Sequence, residues 1–173
     1  GPGLGGHCIP IDPFYLTWKA RQHGVETRFI ELAGEINTDM PRYVIERLQE
    51  GLAKQDKKLK GTQVLLIGIA YKKNIDDMRE SPALVLIELL EETGAKVAFH
   101  DPHVPTIPMT REHSALAGRN SVDLDMASTA DAVLIVTDHD DVDYGFLAAN
   151  SALVIDTRNA MRDIKDRHNI VKA

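Results

Sequence analysis

Val64-Leu65-Leu66-Ile67-Gly68-Ile69-Ala70, the run VLLIGIA at residues 64–70, is apolar throughout and bounded by polar segments. It is too short for a helix and lacks the alternation of a half-solvated strand, so it predicts a strand buried on both faces of a parallel sheet. A parallel strand needs a crossover. Ser81 and Pro82 supply the cap and first turn of a helix that runs to Thr93 and stops at Gly94, and KVAFHDP at 96–102 supplies the next strand. That completes one βαβ unit. DAVLIVT at 131–137 and ALVIDT at 152–157 repeat the pattern, so at least four strands are expected in an α/β sheet with helices over it. Ligands of such sheets sit beyond the carboxyl ends of the strands, which here read GIAYKK, HDP, TDHD and DTRN.

The residues ahead of the sheet are helical in pattern. Asp12 and Pro13 read as an N-cap and first-turn proline for FYLTWKARQHG, with Gly24 as its stop. From Phe29 to Lys54, the residues Ile36, Met40, Val44, Ile45, Leu48 and Leu52 predict an apolar helix face, interrupted at Pro41 by a kink or a break. QDKKLKG at 55–61 reads as a polar, mobile boundary. Two parts are expected, residues 1–55 and residues 61–173.

The chain has 173 residues, 43% hydrophobic and 27% charged, which suits a globular protein with one substantial core. A net charge of −6 argues against nucleic acid as the main partner. No stretch approaches the roughly 18 apolar residues of a membrane span, and no secretory leader opens the chain, so a cytoplasmic protein is expected. Cys8 is the only cysteine, which excludes an internal disulfide and a cysteine metal cluster; no metal is expected. The chain starts inside a glycine loop and reads as part of a longer protein.

At the first strand end stands Gly68-Ile-Ala-Tyr-Lys-Lys, without the G-x-G-x-x-G of a dinucleotide cradle. Lys72, Lys73, Arg79 and Arg158 are instead candidate donors to a phosphorylated ligand. Cys8 lies among Gly3, Gly5 and Gly6, glycines that let the backbone approach a ligand and turn its N–H groups toward an anion. His7 and Asp12 are near enough in sequence to deprotonate the thiol or a water. The residues alone leave three readings open: an enzyme with a cysteine nucleophile, a thiol-dependent acyl-transfer enzyme among them; a non-catalytic nucleotide-binding module; and a structural or incidental thiol.

GPGLGGHCIPIDP (1–13), GIAYKKNIDDMRESPA (68–83), HDP (100–102) and VIDTRNAM (154–161), in this order, resemble the UDP-glucose/GDP-mannose dehydrogenase family, most nearly its bacterial UDP-N-acetylglucosamine 6-dehydrogenase branch. The resemblance runs nearly the whole chain but covers only the back portion of such proteins. It implies a Rossmann-like UDP-binding domain preceded by a helical segment from the central dimerisation domain. It also implies twofold oxidation of the C6 alcohol of a nucleotide sugar by NAD, through a cysteine thiohemiacetal and a thioester. By their motif positions Cys8 matches the nucleophile and Asp12 the aspartate that assists the water. Gly5, Gly6 and His7 match the sugar-side loop, Tyr71, Lys72 and Arg158 the nucleotide-sugar contacts, and Arg79 an arginine reaching toward NAD. A homodimer or higher even-numbered oligomer is implied as well. The main NAD site and two further catalytic residues are implied to lie ahead of residue 1, so no turnover is expected of these residues alone. Ile11 stands where UDP-glucose dehydrogenases carry a lysine, and His7 where a serine is common. Those departures favour an N-acetylated hexose over glucose.

Overall fold

Five strands, all parallel, form one sheet in a computed structural model that describes residues 1–173. They are β1 (Gln63–Ile67), β2 (Lys96–His100), β3 (Ala132–Ile135), β4 (Val154–Asp156) and β5 (Ile170–Lys172), in the spatial order β2-β1-β3-β4-β5. The chain steps one way from β1 to β2 and the other way from β3 onward. The direction of winding therefore reverses between β1 and β3, where Ile67 pairs with Ile135, and such a reversal opens a crevice at the strand ends. Strand β5 was not anticipated; Ile170 and Val171 are only half-buried, and three residues are too few to show a period.

Strand β1 stops at Ile67, three residues before the apolar run ends. Gly68 turns there with φ near +77°, where a β-carbon would overlap the Thr137 carbonyl. Ile69 and Ala70 remain fully buried, so the run joins a strand to a buried turn. Alternation along β1 sends Val64 and Leu66 into a large core under the long helices, and Leu65 and Ile67 into a smaller one on the opposite face.

Four helices complete the fold: α1 (Asp12–Arg21), α2 (Arg28–Ala53), α3 (Pro82–Glu92) and α4 (Tyr144–Asn150). Ser81 caps α3 as expected, its hydroxyl accepting from Ala83 N–H. Asp12 does not cap α1: Ile11 holds the N-cap position and Asp12 is the first helical residue. Pro41 neither breaks nor splits α2, which is continuous over 26 residues. The expected stripe is buried only beyond Pro41. Val44, Ile45, Leu48 and Leu52 enter the core, whereas Ile36 is 56% exposed and Phe29 is 89% exposed. Full burial of Leu48 or Leu52 contributes roughly 1.5–3 kcal/mol apiece, which fastens the second half of α2 to the sheet.

The segment 55–61 is folded rather than mobile. Leu59 is buried, Lys57 pairs with Asp131 at 2.5 Å, and the Thr62 hydroxyl donates to the Lys58 carbonyl. No helix is long and apolar enough to cross a membrane.

Candidate functional site

The amino-terminal loop lies against the strand ends. Gly6 N–H donates to the Arg79 carbonyl at 2.8 Å, and a β-carbon at Gly5 would sit 2.5 Å from the Tyr71 Cβ and 2.7 Å from the Glu80 carbonyl. The ring of Tyr71 packs on Gly6 and the guanidinium of Arg158 on Gly1. Only glycines allow so close a seat. The other side of the loop is held by α2, where Leu4 N–H donates to Asn37 Oδ1 at 2.7 Å. Pro41, lacking an N–H, leaves the Asn37 carbonyl without its helical partner, and Gly3 packs beside that carbonyl. Sequence reasoning missed Asn37; the proline four residues on was its only signal.

Cys8 is exposed at the crest of this loop. Its Sγ lies 3.7 Å from His7 Nδ1 and 3.8 Å from Nε2, close enough for the imidazole to take the thiol proton. Asp12 is tied to the same turn, its N–H donating to the Cys8 carbonyl at 2.8 Å, and its side chain faces solvent. Two cavities flank the loop. One of about 610 Å³ is largely apolar and touches Leu4, Ile9, Phe14, Ala33 and Asn37. The other, of about 420 Å³, is lined chiefly by polar and charged residues, among them His7, Asp77, Arg79, Arg111 and His113. Neither reaches Tyr71, Lys72 or Arg158.

Of the four cations expected at the strand ends, two are neutralised within the chain. Lys73 pairs with Asp140 at 2.5 Å, which raises the lysine from its ordinary range and lowers the aspartate. Arg79 folds back on Asp77 through its Nε and Nη2, the latter at 2.6 Å, and this hydrogen bonding holds the Asp77 carboxyl below its usual range. Lys72 and Arg158 have no carboxylate partner. Arg158 is half-buried; its Nε donates to the Val136 carbonyl at 2.6 Å, which aims the guanidinium across the end of β3. Burial lowers Arg158 from its ordinary range while Asp138 acts in the opposite sense, and the group stays charged. A fixed, unpaired guanidinium and a free ammonium above a sheet crevice suit a diphosphate.

Beneath these cations lies a buried polar assembly that sequence reasoning noticed only as strand-end motifs. The carboxylate of Asp101, 3% exposed, accepts from the backbone N–H groups of Ile69, Ala70, His103 and Val104. His139, fully buried, places Nε2 at 3.2 Å from Asp101 Oδ2, and its Nδ1 accepts the Asn74 N–H at 2.9 Å. With Nδ1 accepting, the ring carries its proton on Nε2 and donates it to the carboxylate. Desolvation would raise Asp101, but the bonds from His139, Ile69 and His103 outweigh it, and its pKa is lowered. No group of three or more His, Cys, Asp or Glu side chains is placed to hold a metal.

Comparison with known proteins gives two family matches. The UDP binding domain of the UDP-glucose/GDP-mannose dehydrogenase family matches residues 65–163, and the central domain of that family matches residues 1–39. The chain is 31% identical to a UDP-N-acetyl-D-mannosamine dehydrogenase of Methanococcus maripaludis, covering 99% of this chain and 38% of that protein. It is 33% identical to an NDP-N-acetyl-D-galactosaminuronic acid dehydrogenase of Ralstonia nicotianae, over 91% of this chain and 35% of the other. The solved UDP-D-ManNAc dehydrogenase of Pyrococcus horikoshii superposes with a TM-score of 0.79 at 30% identity, covering 99% of this chain and 38% of that one. The chain thus spans under two-fifths of the length of these relatives.

Proposed function

The chain belongs to the UDP-glucose/GDP-mannose dehydrogenase family, and we propose that it is the cysteine-bearing, nucleotide-holding part of an NAD-dependent UDP-N-acetylhexosamine 6-dehydrogenase. Lys72 and Arg158 hold the diphosphate, Tyr71 borders the nucleotide, and Gly5, Gly6 and His7 lie along the sugar. The sulfur of Cys8, deprotonated by His7, adds to the C6 aldehyde carbon; the C–S bond forms as the carbonyl π pair moves to oxygen, which takes up a proton. Asp12 activates the water that later displaces the sulfur from the thioester. The single observation carrying this reading is that glycines of the loop bearing Cys8 are seated on Tyr71 and Arg158, side chains that follow β1 and β4.

The cofactor's fit to these residues is incomplete. NAD, when bound, supplies the hydride acceptor for both oxidations. Gly68 is locked against Thr137 and no glycine cradle follows β1, so the sheet lacks the glycine-lined seat of a dinucleotide fold. Arg79 is the residue assigned to reach the cofactor, and its fork is occupied by Asp77. Its contribution requires release from that pair, and the main NAD site is assigned to the family's amino-terminal domain. The two domain assignments, 1–55 and 61–173, follow the same reading.

The sugar is proposed to be N-acetylated, with N-acetylglucosamine taken from the resemblance and no motif reporting the epimer. The two curated relatives are named for N-acetyl-D-mannosamine and N-acetyl-D-galactosaminuronic acid. An even-numbered oligomer is proposed to cover the apolar side chains of α1 and the first half of α2, of which Tyr15, Trp18 and Phe29 are 68%, 61% and 89% exposed.

Calorimetry of the 173-residue chain with UDP is expected to show heat that is lost in Lys72→Ala and in Arg158→Ala; equal affinity in all three sinks the site. NADH formation, assayed with the three UDP-N-acetylhexosamine epimers and UDP-glucose, is expected only when the family's amino-terminal domain is supplied, and it should vanish in Cys8→Ser. Steady turnover by residues 1–173 alone would overturn the domain assignment.

A further inference from the structure

We infer that His139 is a positioning residue for the nucleotide edge, acting as a clamp between the turn after β1 and the ends of β2 and β3. The inference rests on the reading that Lys72 grips a nucleoside diphosphate. It is reached from geometry that this reading does not use.

The turn 68–74 carries Tyr71 and Lys72, yet neither is fixed by a side-chain hydrogen bond. Its backbone is fixed instead. Gly68 N–H donates to the His100 carbonyl at 2.9 Å, Thr137 Oγ1 donates to the Ala70 carbonyl at 2.6 Å, and Tyr71 N–H donates to the Asp77 carbonyl at 2.9 Å. The far limb is closed by Asn74, whose φ of +60° turns its N–H inward onto His139 Nδ1. Outside, the Asn74 amide exchanges two hydrogen bonds with Asp140, at 2.6 and 2.9 Å.

Both ring nitrogens of His139 are committed. Nε2 faces Asp101, Nδ1 faces Asn74, the face meets the His103 ring at a centroid distance of 4.7 Å, and the main-chain carbonyl accepts from the Tyr144 hydroxyl at 2.9 Å. A buried imidazole so placed joins three loops through one donor and one acceptor. Losing it leaves the Asn74 N–H and the Asp101 carboxylate each short of a partner inside the protein. The turn would then sample other positions, and Lys72 would move with it. The effect falls first on ligand affinity: the Cys8 loop packs on Tyr71 but keeps its own hydrogen bonds, Leu4 to Asn37 and Gly6 to Arg79.

Three substitutions separate the roles. His139→Leu removes both bonds, His139→Asn keeps an acceptor toward Asn74, and His139→Gln keeps a donor toward Asp101. UDP affinity measured by calorimetry on the 173-residue chain is expected to fall at least about tenfold in His139→Leu, the worth of one charge-aligned hydrogen bond. It should recover most of the loss in His139→Asn and little in His139→Gln. The rate of Cys8 alkylation by iodoacetamide should stay within about twofold in all folded variants, since Cys8 is already exposed and keeps His7 beside it. Lys72→Ala serves as the control. If it leaves UDP binding unchanged, the nucleotide site itself is misassigned. If it weakens binding while the His139 variants, shown folded by circular dichroism, bind as the parent does, the clamp is refuted. Should these variants fail to fold, hydrogen exchange on the unsubstituted chain decides: UDP is expected to slow exchange of the Asn74 amide, and an unchanged rate refutes the clamp.

Discussion

The strand-end turns and the cysteine loop meet at one edge but are built by opposite means. The turns rest on a carboxylate 3% exposed that accepts four backbone N–H groups and an imidazole. The cysteine loop rests on glycine packing and two hydrogen bonds, Gly6 to Arg79 and Leu4 to Asn37, and leaves Cys8 in solvent. Buried, fully paired polar groups make geometry rigid at the risk of large losses when one partner is removed. A loop on glycines makes close approach possible and costs little to alter. The chain fixes the proposed nucleotide edge more firmly than the loop of the proposed nucleophile, an arrangement that would suit a thiol forming and breaking bonds to successive intermediates.

The largest effect that would break this contrast is at Asp101. Asp101→Asn puts an amide N–H₂ against inward-facing donors, and stability measured by urea unfolding is expected to drop by about 2–4 kcal/mol. Cys8→Ser, on the other side of the contrast, should change it by no more than about 0.5 kcal/mol. Equal losses would show that the loop is as structural as the edge. The pH dependence follows from the same carboxylate. The folded pKa of Asp101 is depressed, so its contribution is complete above the unfolded value near 3.9 and is lost as pH falls through the folded value. Urea midpoints of the parent chain should therefore fall on acidification below about pH 4, and those of Asp101→Asn should fall less.

A middle-sized effect separates the two halves of α2. Leu48→Ala opens a cavity in the large core and is expected to cost about 2–5 kcal/mol, whereas Ile36→Ala, at a side chain 56% exposed, should stay within about 0.5 kcal/mol while the chain is monomeric. A large cost at Ile36 that grows with protein concentration would place that face in an interface between copies.

The fold was readable because continuous apolar runs leave a buried parallel strand few alternatives, and because Ser81-Pro82 and Gly94 punctuate α3. The cysteine loop was readable from its glycines. What escaped were relations between loops distant in sequence. Nothing in GIAYKKN shows that Lys73 meets Asp140 or that Asn74 meets His139, 65 residues on, until β1 and β3 are known to be neighbours. HDP and TDHD looked like ligand-facing ends, yet Asp101 and His139 turn inward, because the adjoining turns bring backbone N–H groups that need acceptors more than the solvent needs charge. The helix stripe misled at Ile36 for the converse reason: periodicity reports an apolar face and not what covers it.

The smallest effect sharpens the boundary between the two regions. Asp77 and Arg79 lie under the Gly6 contact, and their ion pair is exposed, with side chains 25% and 64% accessible. Exposed pairs contribute little to stability, so Asp77→Asn should leave the urea midpoint unchanged within error. What changes is the availability of the guanidinium. Asp77 competes with any anion offered to Arg79, and neutralising it should strengthen binding of pyrophosphate by about twofold, an effect that added salt erases. The gain should persist in Lys72→Ala, because Arg79 faces the cavity of His7, Arg111 and His113 and the lysine does not. If Lys72→Ala abolishes it, the two cations serve one anion site, and the nucleotide edge and the cavity beside the thiol are a single site.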